Sequence, residues 1–284
     1  MSIDNKRTAP IGVFDSGVGG LTVTREIMRQ LPDENMVYFG DTARVPYGSK
    51  SRDNIIRYSR QIIRFLKTRD VKAIVIACNT ASALALDVVK KETDIPVMGV
   101  IVPGARAAVQ ATSNKKVGVI GTEATIRSKM YSRTIREMDP DVEVIGKPCP
   151  LFVPLVEEGF AKHRISEEVI DYYLASMKES GIDTMILGCT HYPLLRSKIM
   201  KYLGEEIRLV NPAYETAMEL KVLLKELGIQ NVGKDIDPDK QEESCANGSY
   251  EFYVSDAADK FKHFANSILP YDIRTTQQIN IEEY

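Results

Sequence analysis

The sequence contains no run of about 18 to 20 uninterrupted apolar residues, so no segment of it is suited to span a bilayer as a helix, and no membrane partner is expected. It also lacks any C-x-x-C pair. Its four cysteines (Cys78, Cys149, Cys189 and Cys245) are widely spread, and only three histidines accompany them. That pattern argues against a zinc ribbon or finger and against a disulfide scaffold, so no metal is expected and a reducing cytoplasm is the expected compartment. An excess of one charge is missing too: 37 Lys and Arg against 39 Asp and Glu leave −2. Binding to a nucleic-acid backbone normally needs a basic excess, so no nucleic-acid partner is expected, although a local anion site is still allowed. The polar residues 1–10 lack the apolar centre of a signal peptide. What is present is ordinary globular material, 284 residues with 44% hydrophobic and 27% charged. At roughly 150 residues per domain that suggests about two units.

Short apolar runs alternate with helical patterns along almost the whole chain. Strands are expected at 11–15, 36–40, 73–78, 97–100, 117–121, 142–146, 184–189, 207–210 and 251–254. Between them, Ile55, Ile62 and Leu66 mark one helical face, as do Ala217, Leu220, Leu224 and Leu227, and Ala257, Phe261, Phe264 and Ile268. Continuously apolar strands alternating with helices mean parallel sheets covered on both faces, an α/β fold. Nine strands fit one wide sheet or two smaller ones. Two features favour two units. Val102-Pro103-Gly104 and Asn211-Pro212 interrupt the pattern where a chain can cross between lobes. Residues 72–83 (KAIVIACNTASA) are also echoed by 183–194 (DTMILGCTHYPL), with the cysteines 189 − 78 = 111 positions apart. Residues 230–249 read as a long polar surface loop, and the chain beyond Leu269 as a loosely held terminus.

In open α/β sheets, ligands bind beyond the carboxyl ends of the strands. Four segments in that position are rich in small polar groups: Asp15-Ser16-Gly17-Val18-Gly19-Gly20, residues 40–49 with Asp41, Arg44, Tyr47 and Gly48, Cys78-Asn79-Thr80, and Cys189-Thr190-His191. The first lacks the spacing of a nucleotide-binding loop, and a turn needing positive φ would account for its glycines but not for Asp15 and Ser16. A lone buried cysteine is usually a small hydrophobe. Cys78 and Cys189 differ in that each is expected to end a strand and adjoin a helix start, a setting that lowers thiol pKa. His191 lies two residues beyond Cys189, within reach to hold or exchange a proton. Cys149 and Cys245 lack this setting and read as structural or incidental.

Two thiols on matching turns of facing lobes imply a specific chemistry. A carbon acid held between them loses a proton to one sulfur and gains one from the other, which inverts the stereocentre without a cofactor. The sulfurs would then stand on the order of 7 Å apart, too far for a disulfide. One thiolate and one thiol are expected at rest, because like charges sharing a site raise one pKa.

The segments VFDSGVGG, GDTARVPYGSKS, ACNTAS, VPLVEEG and GCTHYPLL, in this order, resemble bacterial glutamate racemase, and the resemblance runs from about Pro10 to Leu269. It implies two pseudo-symmetric α/β lobes with the active site between them, the chain returning to the first lobe after about Val210. The implied lobes are residues 1–98 plus 211–284, and 99–210. It implies Cys78 and Cys189 as the two acid/base residues, Cys78 on the D-glutamate face and Cys189 on the L-glutamate face. Asp15, Ser16, Tyr47, Gly48, Asn79, Thr80, Thr190 and His191 match substrate-binding positions. Asp15, Glu157 and His191 match residues that assist proton transfer, and Asp15 is expected to meet the substrate ammonium. No cofactor is implied. The implied role is supply of D-glutamate for peptidoglycan. Some members carry a longer N-terminal extension linked to activation by a cell-wall precursor; with about ten residues before the first strand, no such requirement is expected here. A homodimer is the commonest state for a soluble enzyme.

Other readings fit parts of the pattern. An aspartate racemase of the same superfamily shares the motifs, a cysteine acyl-transfer hydrolase would use Cys189 and His191 alone, and a non-catalytic anion receptor would bind without turnover.

Overall fold

The computed structural model describes residues 3–233 and 248–284. Ten strands are present among them: β1 (Ile11–Asp15), β2 (Met36–Gly40), β3 (Ala73–Ile76), β4 (Val97–Gly99), β5 (Lys116–Gly121), β6 (Glu143–Pro148), β7 (Thr184–Gly188), β8 (Arg208–Val210), β9 (Tyr250–Val254) and β10 (Gln277–Gln278). They form two sheets, ordered β10-β9-β2-β1-β3-β4 and β6-β5-β7-β8. Every pairing is parallel, as the apolar strands require.

The first four strands repeat their arrangement in the next four: the order β2-β1-β3-β4 in one sheet is matched by β6-β5-β7-β8 in the other. In each case the chain moves to one side of its first strand and then returns to the other. That reversal opens a crevice at the carboxyl ends of β1 and β3, and equally of β5 and β7. The echo between residues 72–83 and 183–194 therefore falls on equivalent strands, β3 and β7.

Each sheet is covered on both faces, and the two-residue period of a strand sorts side chains between them. Ile11, Val13, Ala73 and Val75 join the core under the helices Leu21–Gln30, Pro212–Glu226 and Ala258–Ile268. Phe14, Phe39, Ile74 and Ile76 face the opposite core with Ile55, Ile62 and Leu66 of the helix Arg52–Lys67. In the other sheet, Ile120, Met185 and Leu187 pack on one side, and Val117, Val119 and Ile186 on the other.

Several expectations need correction. Val102-Pro103-Gly104 is no break, for it lies inside the helix Ile101–Ala111. Pro103 sits in the first turn, where its missing N–H has no intrahelical partner to lose. Leu227 follows the helix Pro212–Glu226 and is 48% exposed, and Ala257, read as part of a helical face, stands outside the helix Ala258–Ile268 as its N-cap. The carboxyl terminus is docked rather than loose. Ile281 is buried, Glu282 meets Arg44 at 3.0 Å and the Gln61 amide at 3.0 Å, and Arg64 donates to the Tyr284 carbonyl. Of the expected loop at 230–249, residues 234–247, Cys245 among them, lie outside the described residues. Its described ends are pinned to one turn, with Asn231 donating to Glu34 and Ser249 to Asn35.

Candidate active site

A cavity of about 360 Å³ lies where the carboxyl ends of the two sheets meet. The first lobe supplies Ser16 after β1, residues 45–49 after β2, and Cys78, Asn79 and Thr80 after β3. The second supplies Thr122 and Glu123 after β5, Pro150, Val153, Pro154 and Glu157 after β6, and Cys189, Thr190 and His191 after β7. Both singled-out cysteines thus line one cavity from equivalent strands.

Their local settings differ from expectation and from each other. β3 ends at Ile76, so Cys78 lies outside the strand as the N-cap of the helix Asn79–Leu84. Its sulfur accepts from the Ala81 N–H at 3.4 Å and lies 3.8 Å from the Ser16 hydroxyl. The helix terminus does not lower its pKa. Burial and the Asp15 carboxylate outweigh the Ala81 N–H, and the thiol is pushed up to about 12. Cys189 likewise follows β7 rather than ending it, in a turn that leads to the 3₁₀ segment Tyr192–Leu195. What marks it is His191, whose Nδ1 stands 3.8 Å from its sulfur while Nε2 stands 2.9 Å from a Glu157 oxygen. Burial alone would lower the His191 pKa. The hydrogen bonds to Cys189 and Glu157, with their charges, prevail and raise it to about 10. His191 is therefore held as a cation, paired with the Glu157 carboxylate on one nitrogen and facing the Cys189 sulfur with the other. Glu157 gains in turn: burial opposes its charge, but His191 holds its carboxyl below the usual range.

Asp15 is fully buried and does not line the cavity wall. Burial raises its pKa against the pull of His191 and the Gly17 N–H, which donates to its carboxylate at 3.0 Å. Its charge is felt at Cys78 and at His191. The glycines beside it also have a different purpose from the one expected. Neither Gly19 nor Gly20 has positive φ, and neither lines the cavity. A Cβ on Gly19 would lie 2.3 Å from Thr190 Oγ1 and 2.5 Å from His191 Nδ1, and one on Gly20 would lie 2.4 Å from Asp15 Cβ. Bare backbone here lets the His191 turn of the other lobe close against the first.

Polar contacts tie the lobes around the cavity. Thr22 donates to the Thr190 carbonyl at 2.9 Å, Thr80 shares hydrogen bonds with Thr122 (3.0 Å) and Thr125 (3.3 Å), and Tyr131 donates to Asn79 Oδ1 at 2.7 Å. Tyr47 reaches the wall because its hydroxyl bonds Asp41, a buried carboxylate whose two oxygens share the Arg44 Nε–H at 2.9 and 2.7 Å. Gly48 lies in contact with Thr122, since a Cβ there would meet its side chain at 2.8 Å.

Sequence reasoning did not single out Thr122, Glu123, Pro150, Val153 or Pro154. Thr122 carried a usable signal, because it follows an expected strand and precedes a helix that it caps by accepting from Thr125 N–H. Cys149 is buried, its carbonyl accepts from Tyr192 at 2.8 Å, and burial pushes its thiol up to about 12, in keeping with a structural thiol. Among the described residues no three His, Cys, Asp or Glu side chains converge as a metal site, and no helix is long and apolar enough to cross a membrane.

Residues 11–220 match the family model described as Asp/Glu/Hydantoin racemase. A glutamate racemase of Geobacter metallireducens is 46% identical over 272 residues, covering 96% of this chain and 97% of that one. Among solved structures, a glutamate racemase isoform of Bacillus anthracis superposes with a TM-score of 0.89 at 40% identity, over 96% of this chain and 98% of the other. A Francisella tularensis glutamate racemase solved with D-glutamate gives 0.88 at 39% identity, over 98% and 100%. The chain belongs to the Asp/Glu/Hydantoin racemase family and, by these full-length relatives, to the glutamate racemases within it.

Proposed function

We propose that this chain interconverts L- and D-glutamate by moving the α-proton between two thiols, without a cofactor. The observation that carries the proposal is the shared cavity, lined by Cys78 from one lobe and Cys189 from the other. D-glutamate bound in the Francisella tularensis relative supports the choice of substrate.

In the L-to-D direction the Cys189 thiolate takes the α-proton, so the C–H bond breaks and an S–H bond forms. The electron pair left on Cα spreads into the α-carboxylate. Cys78 then donates its proton to the opposite face of Cα and is left as thiolate. The D-to-L direction reverses these roles. Glutamate's α-proton is a poor acid, so most of the barrier must be lowered by fixed donors facing the developing charge. Ser16, Asn79, Thr80 and Thr190 line the cavity and supply them. Cationic His191 stands 3.8 Å from the Cys189 sulfur, with Glu157 holding the ring in place. Cys78, with its pKa near 12, rests as the thiol and is ready to act as the acid. Enantiomers have equal free energy in water, so kcat/KM must match in the two directions; the unlike thiols can differ only in kcat and KM taken separately.

The same reading takes residues 1–98 with 211–284 as one lobe and 99–210 as the other, which agrees with the division of strands between the two sheets. It places the enzyme in the cytoplasm, as a homodimer, supplying D-glutamate for peptidoglycan.

The test is racemisation by purified protein in deuterium oxide with no added cofactor. Deuterium is expected at Cα of the product enantiomer, and Cys78→Ser and Cys189→Ser are each expected to abolish nearly all turnover. Near-normal activity in either variant, or a covalent thioester, refutes the paired-thiol mechanism. Faster turnover of aspartate than of glutamate refutes the substrate.

A further inference from the structure

Asn79 follows Cys78 directly and lines the cavity, with its side chain almost wholly buried. Its amide carries one acceptor oxygen and a donor NH2 group, set on opposite sides of a single torsion. Only the orientation with NH2 toward the cavity helps a substrate carboxylate. The opposite one presents an oxygen to an anion. Nothing on its own helix chooses between them.

A residue from the other lobe can choose. Tyr131, in the helix Met130–Met138, donates its hydroxyl to Asn79 Oδ1 at 2.7 Å. The ring is buried and absent from the cavity wall. Its position is set by backbone on two sides. A Cβ on Gly188 of β7 would lie 3.2 Å from the ring, and one on Gly104 would lie 3.5 Å from the hydroxyl. Burial keeps the phenol protonated far above neutral pH, so its O–H remains available to donate to Oδ1.

We infer that Tyr131 is a positioning residue, which fixes the amide of Asn79 with its oxygen turned away from the cavity and its NH2 turned toward the substrate carboxylate. The inference rests on the racemase reading above. Because Tyr131 and Asn79 belong to different lobes, the bond also makes the amide's orientation depend on the lobes being closed together. A second copy of such a bond lies nearby in the Thr80–Thr122 pair, so loss of the phenol would disturb the amide without opening the seam.

The experiment is a double-mutant cycle on racemisation, using Tyr131→Phe, Asn79→Ala and both together. Losing one buried donor beside a reacting anion is expected to lower kcat/KM about tenfold to a hundredfold. Tyr131→Phe should show that loss with little change in thermal midpoint. In the Asn79→Ala background the same substitution should cost at most about twofold, because no amide remains to orient. Equal losses in both backgrounds would make Tyr131 a structural residue only, and near-normal kcat/KM in Tyr131→Phe would overturn the inference outright. Asn79→Asp gives an independent reading, since it places an oxygen where the NH2 is assigned. It should be less active than Asn79→Ala; equal or greater activity overturns the assigned orientation. Absence of racemisation by the unmodified protein would instead overturn the functional reading itself.

Discussion

Gly19→Ala adds a single methyl group, and the structure says where it goes. The new Cβ would lie 2.3 Å from Thr190 Oγ1 and 2.5 Å from both Cε1 and Nδ1 of His191, whereas ordinary contact begins at 3.4 Å. The His191 turn must therefore retreat by about 1 Å, or the lobes must part by as much. His191 has no such freedom. Its two nitrogens are held at 2.9 Å from Glu157 and 3.8 Å from Cys189, and a shift of that size breaks one bond or the other. Overpacking of this kind costs about 1–3 kcal/mol of stability. Misplacing a catalytic group by about 1 Å costs on the order of a hundredfold in rate. The assay is polarimetric racemisation in both directions, with thermal unfolding measured in parallel. Gly181→Ala is the control: its φ of +75° makes alanine strained, but nothing lies within 4 Å of the added atom. Its expected cost is about 1 kcal/mol of stability with activity unchanged. A Gly19→Ala protein with kcat/KM within twofold of wild type refutes the claim that bare backbone at Gly19 seats His191 for turnover.

Two further outcomes follow from the charges. Glu157→Gln removes an anion that helps raise the His191 pKa to about 10, so the alkaline limb of the kcat/KM profile should move to lower pH. A histidine pKa raised by folding contributes stability that is complete below about 6.5 and is lost as pH climbs to about 10. The unfolding advantage of wild type over Glu157→Gln should therefore shrink across that window, and an advantage growing with pH refutes the pairing. Arg44→Met should destabilise by about 3–5 kcal/mol and raise KM, because it leaves the buried Asp41 that holds Tyr47 without its cation. Glu282→Gln, on the exposed side of the same arginine, should cost less than about 1 kcal/mol. Equal effects of the two substitutions would refute that ranking.

Much of the site was legible because its residues follow strands, and strands announce themselves by apolar runs. Ser16, Tyr47, Gly48, Asn79, Thr80, Thr190 and the two cysteines all line the cavity. Asp15 was singled out as well, but its burial behind Cys78 was not legible, because position in a motif does not say which way a side chain turns. Tyr131 left no sequence signal at all: it lies inside a helix, and its partner is 52 residues earlier. The docked terminus escaped for a related reason. Its polar residues look unheld until Arg44, Gln61 and Arg64 are brought beside them.

By itself the sequence determined the layered α/β architecture, nine of the ten described strands and the paired cysteine turns, because each depends on local periodicity and on residue types near one another in the chain. Tertiary structure alone decided that Cys78 is a thiol raised to about 12 rather than an activated thiolate, that Gly19 is small to admit His191, and that His191 is held charged. Those properties come from burial and from groups that folding brings together. Asp15 lies 78 − 15 = 63 positions before Cys78, Glu157 lies 34 before His191 and Gly19 lies 191 − 19 = 172 before it, so no local pattern encodes them.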